Sequence, residues 1–160
     1  DGGFQTWIAQ GGPVTDSVRL PRPALFLQRP ATTEAVDVAA VLAGLQSRAI
    51  RIVDARSPDR FRGENETIDP VGGHIPGAGN RFFRDNLGPD GCFKAPTVLR
   101  TEWLAQLGDA LPEQVVHQCG SGVSGCHNLL AMEVAGLAGS RLYAGSWSEW
   151  CADPARPVAR

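Results

Sequence analysis

The sequence predicts an α/β fold in which helices cover both faces of a mostly parallel sheet. Two patterns predict it. Short apolar runs, Ile50–Asp54 and Gln114–Gln118, alternate with longer segments whose apolar residues recur at helical spacing. Each short run also leads into a residue capable of chemistry, Asp54 in the first and Cys119 just past the second. In open parallel sheets, the carboxyl ends of strands are where sites gather.

Taken in order, residues 11–30 carry Pro13, Pro21, Pro23 and Pro30 and read as an extended linker. Within it, Ala24–Gln28 is expected to form a first strand. Val36, Val38, Ala39, Val41, Leu42 and Leu45 fit one helix face, with Asp37 or Thr33 as the N-cap. Ile50–Asp54 is a buried strand. Ser57-Pro58-Asp59 starts a helix with proline at its first position, which sets Arg60, Phe61 and Arg62 on one turn. Residues 63–73 form a polar loop, and residues 74–80 return toward a short strand. Phe82, Phe83 and Leu87 are expected in the core, and Pro89-Asp90-Gly91 forms a turn. Thr97–Leu107 is amphipathic, with Val98, Leu99, Trp103, Leu104 and Leu107 facing inward. The strand before Cys119 follows, then a helix from Cys126 to about Ala138, a last strand at Arg141–Tyr143, and the Trp147/Trp150 segment.

Composition bounds the function. A chain of 160 residues with 42% apolar and 20% charged residues builds one ordinary core. A net charge of −2 argues against a nucleic-acid or polyanion binder. No apolar run approaches the ~20 residues a membrane span needs. The chain opens Asp1-Gly2-Gly3 with no basic leader and no initiator Met, so its first residue reads as a cut point. The cysteines at 92, 119, 126 and 151 include no C-x-x-C pair, and reduced thiols make the cytoplasm the expected compartment. His117, Cys119, Cys126 and His127 fit no common zinc spacing, so no metal and no cofactor are expected.

The stretch Cys119-Gly120-Ser121-Gly122-Val123-Ser124-Gly125 is the candidate site. A cysteine at a strand end is followed by a small-residue loop running into a helix N-terminus. Three glycines let the backbone curl so that several N–H groups point inward, and the helix end adds positive potential. A thiolate, or an anion carried on its sulfur, is stabilised by such a loop. The alternative is a buried structural cysteine beside a turn. A second pattern concerns the ends of the chain. Gly2, Phe4 and Trp7 align with Gly145, Trp147 and Trp150, as if residues 1–14 were the end of a preceding copy of the same domain.

Asp54-Ala55-Arg56, Arg60-Phe61-Arg62-Gly63, Gly73-His74-Ile75-Pro76-Gly77-Ala78, the Cys119–Ser124 loop and Tyr143-Ala144-Gly145-Ser146-Trp147-Ser148-Glu149-Trp150 resemble the catalytic C-terminal domain of rhodanese-family sulfurtransferases of the bacterial tandem-domain type. The resemblance implies a three-layer α/β/α domain over residues 31–160 with about five strands. Residues 15–30 are then a linker, and residues 1–14 the remnant of an N-terminal rhodanese-like domain that would complete part of the pocket.

The resemblance further implies that Cys119 takes a sulfur atom from thiosulfate or 3-mercaptopyruvate as a persulfide and passes it to cyanide or a thiol. Gly120, Ser121, Gly122, Val123, Ser124 and Gly125 would cradle the persulfide, and Arg60 would bind the donor's anionic group. Asp54, Arg62 and Trp147 are supporting candidates, with Asp54 expected to anchor loop amides. His74 and His117 are expected to be structural, and Cys126 is a weaker candidate for a redox partner. The chain departs from the mercaptopyruvate type in lacking an arginine in residues 64–70, and from the thiosulfate type in lacking a cation in residues 120–123. Two rival functions remain. A cysteine-dependent phosphatase needs Cys-x5-Arg, and Gly125 stands where that arginine belongs. A non-catalytic rhodanese-like binding module usually lacks the nucleophile, which is present here.

Overall fold

A computed structural model describes all of residues 1–160. The chain runs α1 (Gly3–Ala9), β1 (Ala35–Val36), α2 (Val38–Ser47), β2 (Arg51–Asp54), α3 (Pro58–Phe61), β3 (Gly79–Asn80), α4 (Pro96–Leu107), β4 (Val115–Gln118), α5 (Val123–Val134), β5 (Arg141–Tyr143) and α6 (Ser146–Cys151). The five strands form one sheet in the order β1-β5-β4-β2-β3, and every pairing is parallel. None of the helices is long and apolar enough to cross a membrane.

Strand alternation divides the core into two layers. Val53 and Val115 face Leu99, Trp103 and Leu107 of α4 and Ala131 and Met132 of α5. Ile52 and Val116 face Val41 of α2 on the other side, together with Tyr143, Trp147 and Trp150. Both central strands therefore bury apolar residues on both faces, which is why they read as short buried runs. Asp37 caps α2, its Oδ1 accepting the Ala40 amide at 2.8 Å. Ser57 and Pro58 open α3 as expected.

Several elements differ from the sequence reading. Ala24–Gln28 forms no strand. Leu25, Phe26 and Leu27 are exposed, and Pro23 and Pro30 remove donors from either side. The edge strand forms later, where Ala35 and Val36 pair with Leu142 and Tyr143. Val36 therefore belongs to a strand and not to the helix that Asp37 caps. Val98 and Leu104 lie outward on α4, at 44% and 45% exposure, so the buried stripe is only Leu99, Trp103 and Leu107. Phe82 and Phe83 are half-buried and belong to a surface pocket. Helix α5 begins at Val123 instead of Cys126, so half of the small-residue loop is helical first turn. At the chain ends, Gly3 and Ser146 each start a helix with left-handed backbone, φ 63° and 54°. Phe4 and Trp7 are exposed, whereas Trp147 and Trp150 are fully buried.

Candidate active site

Strands β2 and β4 are neighbours with Asp54 opposite Gln118, and the ladder continues one step as the Ala55 amide donates to the Gln118 carbonyl at 2.9 Å. Past this point the two chains diverge. Their ends, the N-terminus of α5, the residues after β3 and the start of α6 enclose a pocket of about 350 Å³. Cys119 is only 2% exposed and lines this pocket with Gly120, Ser121, Val123 and Ser124.

The loop is fixed from behind. The Ser146 hydroxyl accepts the Cys119 amide at 3.1 Å and donates to the Tyr143 carbonyl. The carbonyls of Cys119 and Gly120 accept the Trp147 and Ser148 amides at 3.0 and 2.9 Å. Gly122 has φ 87°, and a Cβ there would lie 2.6 Å from the Ala144 carbonyl oxygen, so only glycine turns the corner into α5. With the carbonyls held outward, the backbone N–H groups from Gly120 to Gly125 bond to no protein acceptor. They form a ring of donors with the α5 N-terminus behind it, the arrangement that suits an anion.

The facing wall is built from charges. Asp54 ends β2 fully buried, its Oδ1 accepting the Arg56 amide at 2.9 Å and its Oδ2 pairing with Arg56 Nη2 at 2.7 Å. Arg56 also donates to the Gly73 carbonyl at 2.7 Å and lies over Trp147, 4.8 Å from the ring centroid. Trp147 donates to the Val71 carbonyl and sits in the core beneath Arg56, not in the pocket lining. Arg60 pairs with Glu66 through Nη2 at 2.7 Å and Nε at 3.2 Å, and Asp69 lies 3.5 Å from Nη2. Burial works against a charged Glu66, but the Arg60 bond and the Asp69 and Ile68 amides outweigh it, so its pKa falls below the ordinary value. Arg60 Nη1 stays free of these partners and would lie 3.7 Å from a Cβ at Gly120, beside the cysteine loop. Ser148 donates to Asp69 at 2.6 Å and ties α6 to this wall.

Among the sequence candidates, Cys119, its loop and Arg60 are brought together, with Asp54 behind them. Arg62 is not among them: it is more than half exposed and pairs with Glu64 away from the pocket, because α3 is a single turn and Arg62 already points outward. His74 stacks on Phe61 and bonds its carbonyl through Nδ1. His117 is fully buried, with Nε2 3.2 Å from the Met132 sulfur and Trp103 edge-on, and burial pushes its pKa down to about 3. Cys126 is exposed, and its thiol donates to the Gly122 carbonyl at 3.3 Å. All four cysteines are free thiols.

Sequence reasoning missed Arg56, Glu66, Ser146 and the Phe82-Phe83-Arg84 wall. Arg56, two residues past a strand-end acid, was a legible signal. The others depend on long-range folding.

Comparisons with known proteins identify the family and the fold. The family described as "Rhodanese-like domain" matches residues 37–153. A probable 3-mercaptopyruvate sulfurtransferase of Pseudomonas aeruginosa is 47% identical over 159 residues, covering 99% of this chain and 56% of that protein. The thiosulfate sulfurtransferase of Mus musculus is 37% identical over 153 residues, 94% of this chain and 51% of that protein. The 3-mercaptopyruvate sulfurtransferase of Homo sapiens is 36% identical over 154 residues, again 94% and 51%. The chain thus spans about half the length of the curated relatives it matches. Among solved structures, Tum1 from Saccharomyces cerevisiae superposes with a TM-score of 0.67 at 29% identity, covering 79% of this chain and 46% of Tum1. The anaerobic ergothioneine biosynthesis enzyme of Chlorobium limicola reaches a TM-score of 0.79 at 24% identity, covering 99% of this chain and 40% of that one, and shares the fold. With a cysteine-bearing loop at the end of β4, a family match over residues 37–153 and these relatives along nearly its whole length, the chain belongs to the rhodanese-like domain family.

Proposed function

We propose that this chain is the catalytic domain of a sulfurtransferase that moves sulfane sulfur from 3-mercaptopyruvate or thiosulfate, through a Cys119 persulfide, to cyanide or a thiol. The observation that carries this reading is the run of unbonded N–H groups from Gly120 to Gly125 that follows the buried, pocket-lining Cys119. The Cys119 thiolate attacks the outer sulfur of the donor. From thiosulfate, the S–S bond breaks and sulfite leaves with its electron pair. From 3-mercaptopyruvate, the C–S bond breaks and the pyruvate enolate takes up a proton. Either way, sulfur remains on Cys119 as a persulfide whose terminal atom carries negative charge. The loop amides and the α5 N-terminus stabilise that charge without a metal. Cyanide or a thiolate then attacks the terminal sulfur and restores the Cys119 thiolate.

Arg60 Nη1 lies beside Gly120 of the cysteine loop, while Glu66 and Asp69 hold the rest of its guanidinium in place. Asp54 acts through Arg56, as an anchor of the wall and not as an acid or base. We infer that residues 1–14 end a preceding rhodanese-like domain that packs against this one in the complete protein. The matching left-handed helix starts at Gly3 and Ser146, and the exposed Phe4 and Trp7, support that reading. The free thiols favour the cytoplasm as the compartment.

The test is thiocyanate formation from cyanide with each donor, in the unsubstituted chain and in Cys119→Ser. The reading expects turnover with at least one donor and a loss of roughly a thousandfold or more in the variant. Turnover that survives Cys119→Ser, or none from either donor, overturns it.

A further inference from the structure

We propose that Arg84 is the residue that captures the small oxyanion head of the sulfur donor, opposite the Cys119 loop; this deepens the sulfurtransferase reading above and rests on it. The pocket is lined by three guanidinium groups, those of Arg56, Arg60 and Arg84. The first two are largely committed to carboxylates, with only Nη1 of Arg60 left free beside the cysteine loop. Arg56 is held by Asp54, Glu66 and the Gly73 carbonyl, and Arg60 by Glu66 and Asp69. Three carboxylates serve two arginines, so this wall is a net anion and offers little attraction to a charged donor. Arg84 has no carboxylate partner and no hydrogen-bonded acceptor, and it is exposed to the pocket mouth. Its guanidinium rests over the rings of Phe82 and Phe83, 6.0 and 5.8 Å from their centroids, which steers it without neutralising it.

The segment that carries Arg84 is rigidly mounted on the site. The Arg81 amide donates to the Asp54 carbonyl at 2.9 Å, and the Phe83 amide to the Ala55 carbonyl at 3.1 Å. On the other side, Asn86 and Asn128 of α5 bond at 2.7 Å, and the Asn128 amide group reaches the Arg81 carbonyl at 2.9 Å. Arg84 is thus tied to β2 and to the helix whose first turn forms the cysteine loop. The loop amides receive the transferred sulfur, and Arg84 binds the carboxylate or sulfonate end of the molecule that delivers it. The Phe82 and Phe83 rings supply the apolar surface between these two poles.

The experiment varies each donor at saturating acceptor for the unsubstituted chain and for Arg84→Ala, Arg84→Glu and Arg84→Lys, at low and high ionic strength. Arg84→Ala should raise the donor KM roughly tenfold, the scale of one charge-assisted hydrogen bond in a half-open site, with kcat within about twofold. Arg84→Glu should raise KM further, and Arg84→Lys should recover most of it because the charge is kept. Rising salt should raise KM in the unsubstituted chain and much less in Arg84→Ala. The two donor arms show whether a carboxylate or a sulfonate head gains more from Arg84. A donor KM unchanged in Arg84→Ala while transfer proceeds overturns this proposal alone. So does a fall in kcat that Arg84→Lys does not rescue, which would mark a structural role. Absence of transfer in the unsubstituted chain overturns the sulfurtransferase reading, and this proposal with it.

Discussion

The two walls of the pocket are built on opposite principles. On the α3 side every buried charge has a partner: Asp54, Arg56, Arg60, Glu66 and Asp69 form one chain of ion pairs, closed by Ser148. On the α5 side the loop carries no charged side chain, and its amides from Gly120 to Gly125 have no protein partner. The first wall is complete as it stands; the second is complete only when an anion arrives. Paired buried charges hold geometry but contribute little net stability, whereas unbonded amides cost stability and hold binding capacity in reserve. We propose that this division puts the chemistry on the amide wall and the support on the charged wall.

Three perturbations test that division, in descending order of effect. Gly122→Ala acts on the amide wall. Its left-handed φ and the 2.6 Å approach to Ala144 force the loop to move, and a displacement of about 1 Å at a reacting centre costs roughly a hundredfold in kcat/KM. Steady-state kinetics on folded protein checks this, and near-normal activity would mean that the loop geometry is not the catalytic element. Glu66→Gln acts on the charged wall. It leaves two guanidinium groups without their shared carboxylate, so unfolding in urea should show a loss of about 3 kcal/mol. A much smaller loss would show that Asp54 and Asp69 hold the arginines unaided.

The smallest effect concerns the floor beneath both walls. The pKa of His117 is depressed in the folded state, so it stays neutral there down to about pH 3. The unfolded chain takes up that proton below about pH 6.5. Folding therefore loses stability as pH falls through this window, by about 1–2 kcal/mol between pH 6.5 and pH 5. Urea midpoints across that range should slope accordingly, and His117→Phe should flatten the slope. An unchanged slope in the variant would assign the acid sensitivity to the walls instead.

Much of this architecture was legible in the residues. Asp54 and Cys119 stood out because each follows an apolar run too short for a helix, and both do lie at adjacent strand ends. Asp37 and Ser57-Pro58 marked helix starts through local chemistry that needs no tertiary contact. The errors share a cause. Ala24–Gln28 has strand composition but no neighbour to pair with, while the weaker Ala35-Val36 becomes a strand because Leu142 and Tyr143 lie beside it. Phe82 and Phe83 read as core because hydrophobicity does not say whether a side chain packs inside or lines a cleft. Arg62 and Arg84 illustrate the same limit for charge. Arg62 sits inside a motif yet pairs with Glu64 at the surface, and Arg84 sits in no motif yet enters the pocket through the fold.

The central claim is that Cys119 carries the sulfur in transit. Incubating the chain with 3-mercaptopyruvate or with thiosulfate, removing the donor and measuring intact mass and peptide masses tests this directly. The account predicts one added sulfur atom, located on Cys119, lost on adding cyanide, and absent in Cys119→Ser. No added sulfur with either donor, or a sulfur on Cys92, Cys126 or Cys151 that persists in Cys119→Ser, would contradict it.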